Sequence, residues 1–377
     1  MAGARGPWLF FVFSAVTVAI LVFVAAYLTW RSNVSTPTSG FDPTVFLEEG
    51  EAEFAAPDRE RPLAFPEDHG AHGQTRGEMW RFVGMVRDRE EKPFGFQLTF
   101  YRLNLRTRAL ARVSAWAANQ IFRAHFAITP SDGDDFHSFE RFSRGALGLA
   151  GFHTGDARVW VENWFMAAAH GSRGVSDLKI EAREGGMGMA LTLKPSKQVV
   201  ETGGAGPVRF YAMSRLEVKG RLDLAGNSIE VSGDGYFEHA WGNLPPSGGA
   251  VAWNRYVIQL DDGRELILAQ ARRRDGSGTP IGSGVLIAKD GSFSSVNHRN
   301  LELAPNAAWR SSDTGVSYPS GWRVAVAKSR LDLVLEPLVR DQEVSHSIRY
   351  WSGAMIVSGE SGGKPVSGFG YAELTGY

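Results

Sequence analysis

The chain of 377 residues contains no cysteine, which excludes disulfides, thiolate metal sites and a cysteine nucleophile. It also lacks an excess of either charge, because 40 Lys and Arg are matched by 41 Asp and Glu. No overall positive field would therefore attract nucleic acid. Neither a Walker loop nor a Gly-x-Gly-x-x-Gly pattern occurs, so no motif supports nucleotide chemistry. We expect no nucleic-acid partner and no cofactor.

Charged residues are missing from Trp8 to Thr29, a run long enough to cross a membrane. About 22 residues at ~1.5 Å each would span a hydrocarbon core of roughly 30 Å. Residues 1–30 are predicted to form a signal anchor or a signal peptide, and the length of the run favours the uncleaved anchor. Because Arg5 precedes the run, we expect a membrane-anchored protein whose remainder lies on the periplasmic or extracytoplasmic side.

After this run, residues 31–61 combine Ser, Thr and Pro with an acidic cluster and no sustained periodicity, which predicts an extended linker. From Pro62 onward, short aromatic and β-branched runs alternate with turn signals, giving about sixteen candidate strands. Helical periodicity is weak, with residues 110–120 the best short candidate. The long crossovers that parallel sheets require are absent, so the pattern predicts an all-β fold of antiparallel sheets, enough for two barrels of about eight strands.

The stretch 233–266 carries the densest set of candidate functional residues. A strand-like run ends at Trp241, a Pro/Gly/Ser loop occupies 243–249, and a second run begins at Val251, which predicts a junction between two β units. The candidate catalytic residues are Glu238 and His239. The candidate substrate-binding residues of this stretch are Trp241, Trp253, Asn254, Arg255 and Tyr256.

Hydration of a carbon–carbon double bond is one chemistry that this set could perform. It needs a general acid, a wall that tolerates positive charge and a held water. Glu238 or His239 could be the acid, with a carboxyl pKa raised by an aromatic barrel, and the nearby rings could stabilise a cation. Neighbours on one strand point to opposite faces, so only one of the two would enter a given cavity. The alternative is that both hydrogen-bond loop backbone at the junction.

A second polar group, Asp68, His69 and His72, precedes the first strand-like run. Two histidines three residues apart could contribute to a zinc site, but no third ligand and no His-Glu-x-x-His pattern is identifiable. We therefore expect a loop against the barrel mouth and no metal. The predicted substrate-binding set is completed by His69 and by three residues on early strand-like runs, Glu78, Trp80 and Arg102.

Residues 359–363 match the Gly-x-Ser-x-Gly pattern of a nucleophile elbow. That elbow requires a strand before the serine and a helix after it, whereas this copy lies between two strand-like runs and is followed by Lys364-Pro365. The segment is therefore predicted to be a hairpin turn.

Seven motifs follow one another across nearly the whole region after the linker. They are FPEDHGAHGQTRGEMWRFVG (65–84), GFQLTFYR (95–102), AHFAI (124–128), ERFSRGALGLAG (140–151), GYFEHAWG (235–242), VIQLDDGRELIL (257–268) and GYAELTGY (370–377). These motifs, in this order, resemble those of the carotenoid 1,2-hydratase and AttH-like family of two-domain lipocalin-like proteins. The resemblance implies two linked lipocalin-like barrels, at 62–244 and 245–377, that take hydrophobic small molecules. This chain departs from the family pattern at Met79 and Arg81 and at Ala240.

Two functions remain open at this stage. The first is a membrane-anchored exported protein that binds a hydrophobic small molecule, a lipid or an isoprenoid, in a lipocalin-like barrel. The alternative is a carotenoid 1,2-hydratase-like lyase or isomerase that protonates a double bond and adds water. The expected partners are the apolar ligand and the membrane, contacted through the N-terminal helix, and an envelope ABC transporter is a further candidate partner.

Overall fold

The computed structural model describes residues 54–107, 118–131, 136–153, 157–169, 175–201, 208–243 and 251–377. The predicted anchor at 1–30 and most of the linker lie outside these ranges, as do most of the candidate helical segment at 110–120 and of the loop at 243–249. Within the described ranges, no helix combines the length and apolarity that a membrane crossing needs. The helical structure there consists of two three-residue 3-10 turns, Glu67–His69 and Ala327–Ser329.

Twenty-two strands in two sheets make up the described fold. The first sheet contains β1 (Gly77–Arg87), β2 (Pro93–Asn104), β3 (Gln120–Pro130), β4 (His137–Arg144), β5 (Ala150–His153), β6 (Arg158–Val161), β7 (Trp164–Ala168), β8 (Leu178–Glu184), β9 (Met187–Pro195), β10 (Val200–Glu201), β11 (Val208–Leu224) and β12 (Asn227–Gly242). The second sheet contains β13 (Val251–Leu260), β14 (Glu265–Arg273), β15 (Ile281–Ile287), β16 (Phe293–Val296), β17 (Leu301–Arg310), β18 (Ser317–Val326), β19 (Leu331–Pro337), β20 (Glu343–Ser345), β21 (Arg349–Ser361) and β22 (Lys364–Thr375).

Both sheets are antiparallel, and in each the first strand pairs with the last. The first sheet has the order β4-β3-β2-β1-β12-β11-β9-β8-β7-β6-β5, with β10 on β11. The second has the order β16-β15-β14-β13-β22-β21-β19-β18-β17, with β20 on β21. The sheets form a nearly closed barrel and a half-barrel, so the predicted all-β fold with two lipocalin-like barrels is confirmed. The described strands outnumber the sixteen expected because very short ones such as β10 give no periodicity to detect.

Strand β1 is buried along nearly its whole length, from Gly77 to Val86, although it contains charged residues. Trp80 and Phe82 belong to the core inside the first sheet. Val83 and Met85 belong to a smaller core between the two sheets, together with Val257 and other residues of the second sheet. Both faces of β1 are therefore buried, and strand alternation sends its polar residues into two different interiors.

The predicted hairpin at 359–363 is confirmed. Strand β21 ends at Ser361 and β22 begins at Lys364, with the two strands paired along their length. Gly362 and Gly363 make the turn with φ angles of 59° and 80°, a region that glycine enters without steric cost. The strands of the first sheet end at Gly242 and those of the second begin at Val251, while the domain limits at 62–244 and 245–377 stay a prediction.

Candidate functional site

Glu238 and His239 are neighbours on β12, and their side chains leave opposite faces of the sheet, as strand alternation requires. His239 lies among aromatic rings of the first core, close to Trp80 and Trp241. Glu238 instead bonds Arg255 of the second sheet. The two predicted catalytic residues therefore belong to two separate polar clusters.

The first is the Glu78 cluster, which consists of Asp68, His72, Glu78, Arg102 and His239. Glu78 Oε1 lies 2.9 Å from Nε2 of His239 and 2.8 Å from Nδ1 of His72. Arg102 Nε donates to Glu78 Oε2 at 2.9 Å. The side chains of Glu78 and His239 are completely buried, and that of His72 is 18% exposed. The cluster thus lies inside the first barrel, with one edge open to solvent.

Asp68 joins the segment before β1 to this cluster. Its carboxylate Oδ1 lies 3.0 Å from His72 Nε2, and its backbone carbonyl lies 2.9 Å from His239 Nδ1. The same carboxylate accepts the backbone N–H of Ala64 at 2.6 Å and pairs with Arg61. The 3-10 turn that contains Asp68 is consequently held against β1 and β12 by hydrogen bonds, as expected for a loop at the barrel mouth.

Burial and the neighbouring charges act in opposite directions on the Glu78 cluster. Burial raises the pKa of Glu78, but Arg102 and the two histidines outweigh it, so the pKa of Glu78 is lowered. Burial lowers the pKa of His72, but its hydrogen bonds to Asp68 and Glu78 raise that pKa above its usual value. For His239 burial dominates, and its pKa is lowered. The carboxylate of Glu78 is therefore charged at neutral pH.

Aromatic rings line the cluster. His72 stacks on Trp241 with ring centroids 4.0 Å apart and an interplanar angle of 3°. Trp80 stacks on His239 at 4.8 Å and donates its indole N–H to the backbone carbonyl of His69. His69 Nδ1 lies 2.7 Å from the hydroxyl of Tyr211, and its buried Nε2 has no hydrogen-bond partner among the described residues. Burial lowers the pKa of His69 to about 3, so its ring is neutral.

The same cluster offers ligands for a metal ion. One atom each of His72, Glu78 and His239 lie within 4.8 Å of one another. The sequence suggested His69 and His72 but no third ligand. The group contains His72 and not His69, and its other two members, Glu78 and His239, are distant from each other in the chain. They become diagonal neighbours only through the register of β1 on β12, in which Trp80 pairs with His239 and Glu78 pairs with Trp241. Only a prediction of how β1 pairs with β12 would have identified Glu78 and His239 as neighbours.

The second is the inter-sheet cluster, which consists of Arg81, Tyr236, Glu238, Arg255 and Glu373. Glu238 accepts hydrogen bonds from Tyr236 at 2.8 Å, from Arg255 at 3.2 Å and from Arg81 at 3.3 Å. Glu373 Oε2 lies 3.5 Å from Arg81 Nε. Burial raises the pKa of Glu238, but the two arginines and Tyr236 lower it by a larger amount. The pKa of Glu238 is therefore lowered overall. The raised pKa expected from an aromatic environment is therefore wrong, because two guanidinium groups accompany the carboxylate.

The remaining predicted residues are spread over the second sheet. Asn254 donates to the hydroxyl of Tyr377 at 3.0 Å. Tyr256 is fully buried and packs edge-on against Trp322. Trp253 is 39% exposed. The structure therefore brings His69, Glu78, Trp80, Arg102, His239 and Trp241 together at one end of the first barrel, and Glu238 and Arg255 between the sheets, but leaves Trp253, Asn254 and Tyr256 apart from both clusters.

A groove of about 360 Å³ lies between the two sheets. Its β1 residues, Met85 and Arg87, follow Glu78 and Arg81 along the strand, so the groove is separate from both clusters. Its apolar lining comes from both sheets: Met85, Leu260, Ile356, Val357 and Phe369. Its lining also contains four charged residues, Arg87, Arg215, Asp234 and Asp261, which we call the rim of the groove. None of these residues was predicted from the sequence, because a groove between two sheets depends on how the sheets pack.

Comparison with known proteins places these features in a family. The model of the AttH-like family matches residues 56–377. A crystal structure of an AttH protein from Nitrosomonas europaea superimposes with a TM-score of 0.73 at 26% identity and covers 86% of this chain and 100% of its own. Kievitone hydratase from Nectria haematococca has a TM-score of 0.62 at 13% identity over 86% of this chain and 96% of its own, a likeness of fold. No functionally curated protein matches. The chain belongs to the AttH-like family of lipocalin-like proteins.

Proposed function

We propose that this chain is a membrane-anchored exported protein that binds an amphipathic small molecule of the lipid or isoprenoid class. The observation that carries the proposal is the groove between the sheets. Its volume of about 360 Å³ is in the usual range for small-molecule sites. The uncharged N-terminal run supports the anchor, and the family assignment supports a ligand-binding barrel protein.

The groove is a better ligand site than the interior of the first barrel. That interior is occupied by large side chains without exposure to solvent, among them Trp80, Phe82, Phe96 and Trp164. A buried core at ordinary packing density has little room for a ligand. In the groove, the exposed side chain of Ile356 and the half-buried ring of Phe369 offer apolar surface to a visiting molecule. The proposal therefore moves the ligand from a barrel lumen to the groove.

The groove has distinct apolar and polar parts, which suits an amphipathic ligand. Met85, Leu260 and Val357 form buried apolar lining. At the rim, Arg215 pairs with Asp234 at 3.1 Å and with Glu265 at 2.7 Å. An apolar chain would gain about 25 cal/mol per Å² that it removes from water, and the rim would solvate a polar headgroup.

The alternative, a hydratase-like enzyme, has support in the shared fold of kievitone hydratase. The geometry of the two predicted acids favours binding instead. Glu238 is charged and both of its oxygens accept hydrogen bonds. Both ring nitrogens of His239 have protein partners. Neither residue presents a free acidic proton to a cavity, which general acid catalysis requires.

The test is the affinity of a fluorescent fatty acid for the purified full-length chain, with mass spectrometry of co-purified lipids. Ile356→Glu places a charge in the groove, and we expect at least a tenfold loss of affinity and of co-purified lipid. Ile281→Glu is the matched control, since Ile281 is also a strand isoleucine and is 63% exposed, and it should bind as wild type does. Equal binding by Ile356→Glu and wild type would contradict the proposal, because the ligand would then not occupy the groove.

The same mass spectra separate binding from catalysis. A lipid recovered unchanged from wild type, Glu238→Gln and His239→Ala supports binding. A water adduct of a polyene that is present with wild type and absent with both variants would replace the binding proposal by the hydratase alternative.

A further inference from the structure

We propose that His72, Glu78 and His239 bind one divalent transition-metal ion, of which Zn²⁺ fits the donor set best. The observation is that two histidine nitrogens point at a single carboxylate oxygen. Nδ1 of His72 and Nε2 of His239 lie 2.8 and 2.9 Å from Glu78 Oε1. This inference does not depend on the ligand groove, which is lined by other residues.

The partners of the opposite ring nitrogens determine where the imidazole hydrogens lie. Nδ1 of His239 faces the backbone carbonyl of Asp68, which can only accept a hydrogen bond, so this nitrogen carries the hydrogen. Nε2 of His72 faces the carboxylate of Asp68 and carries its hydrogen for the same reason. A neutral imidazole has one N–H. When both rings are neutral, the nitrogens that face Glu78 are therefore lone-pair donors.

With both rings neutral, two lone pairs and a carboxylate oxygen would meet at these distances and repel one another unless positive charge lies between them. Two extra protons, one for each histidine, would supply it. One divalent ion supplies the same charge with both histidines neutral. In protein metal sites the ligating histidine usually donates its other N–H to a carboxylate or a backbone carbonyl, which is the arrangement that Asp68 provides for both rings. Arg102 likewise holds the second oxygen of Glu78.

The dimensions suit a small ion. Zinc binds nitrogen at about 2.0–2.1 Å and carboxylate oxygen at about 2.0–2.2 Å, so the two nitrogens would need to move away from the Glu78 oxygen by only roughly half an ångström. The exposed edge of His72 provides a route for the ion. Its three ligands come from the segment before β1, from β1 and from β12. The ion would therefore fasten the mouth segment to the barrel wall, as structural metal sites do.

The experiment titrates the purified full-length chain, stripped with a chelator, with Co²⁺ and with Zn²⁺. We expect one equivalent per chain, visible Co²⁺ ligand-field absorption, and a higher melting temperature with Zn²⁺. Glu78→Gln and His72→Gln should each weaken binding at least tenfold. Asp68→Asn keeps all three ligands and should weaken binding about 10- to 100-fold by loosening the imidazoles. His298→Gln removes an exposed histidine and should bind as wild type does.

His72→Gln keeps the experiment decisive, because His72 is the most exposed of the three ligands and the variant should fold even where Glu78→Gln does not. Circular dichroism checks the fold of each variant. A folded wild type that binds neither ion would overturn the proposal and leave protons as the positive charge. Binding of equal strength by wild type and His72→Gln would also overturn it, since the ion would then lie elsewhere.

Discussion

Glu238 links the two sheets electrostatically, and its replacement by glutamine tests that link. Glutamine keeps the shape of the side chain and removes its charge. In the native protein the carboxylate bonds Arg81 of β1 and Arg255 of β13. The substitution leaves Arg81, whose side chain is 1% exposed, with Glu373 as its remaining acidic partner in the inter-sheet cluster, at 3.5 Å.

The expected loss follows from the burial of each guanidinium group. Removing one partner of a buried ion pair costs about 3–5 kcal/mol. Arg255 contributes less than Arg81, because its side chain is 38% exposed and water can replace the lost partner. Glu373 also compensates part of the charge on Arg81. We therefore expect the lower end, about 3 kcal/mol, which corresponds to a fall in melting temperature on the order of 6–12 °C.

Urea unfolding followed by tryptophan fluorescence and by circular dichroism measures this loss. The lowered pKa of Glu238 sets the sign of its pH dependence. The stabilisation is present above the ordinary glutamate pKa of about 4.3 and is lost as the pH falls through the lower folded-state value. The difference between wild type and Glu238→Gln should therefore shrink in acid. Glu302→Gln, which breaks an exposed pair with Arg323, is the control and should change little.

A stability of Glu238→Gln equal to that of Glu302→Gln would refute the reasoning. A second variant guards against an unrelated effect of the substitution. Adding Arg81→Met to Glu238→Gln removes the buried guanidinium group that has lost its partner. The double variant should regain part of the lost unfolding free energy, because apolar groups of similar volume often replace buried ion pairs without cost. A double variant that is less stable than the single one would contradict the electrostatic explanation.

Three further predictions concern packing and a second pH effect. Trp80→Ala should lower the unfolding free energy by about 3–5 kcal/mol in urea, because Trp80 is fully buried and donates to His69; a loss below 1 kcal/mol would contradict this. Gly84→Ala should cost about 1–3 kcal/mol, since its Cβ would lie 2.5 Å from the carbonyl oxygen of Asp234; an unchanged melting temperature would argue against it. Burial raises the pKa of Asp234 more than Arg215 lowers it, so wild type should lose stability relative to Asp234→Asn as the pH rises past about 3.9. Paired urea titrations at pH 4 and pH 7 check this, and a constant difference would refute it.

Much of the fold could be predicted because strand alternation and turn residues are local signals. The hairpin at 359–363 followed from its flanking runs, and the opposite directions of Glu238 and His239 followed from their adjacency on one strand. The grouping of the site residues could not be predicted in this way. Proximity in sequence predicts that Asn254 and Tyr256 lie with Glu238, yet they pack within the second sheet.

The protonation of Glu238 shows the same limit at the level of chemistry. From the sequence, a carboxyl group among aromatic residues should have a raised pKa. Arg81 lies 157 positions away and is brought to Glu238 by the pairing of β1 with β12. Its guanidinium group, together with Arg255, reverses the direction of the shift. The residues near Glu238 in sequence do not indicate that Arg81 lies beside it, so the direction of the pKa shift could not be predicted.

The amino-acid sequence by itself determined the class of fold, the family and the alternation of side chains along each strand, because these depend on neighbours along the chain. The tertiary structure alone decided that Glu78 meets His239, that Glu238 meets two arginines, and that a groove opens between the sheets. Each of these depends on the register between β1 and β12 or on the packing of one sheet on the other. Such contacts join residues far apart in sequence, and a shift of register by one residue would turn every side chain on β1 to the opposite face.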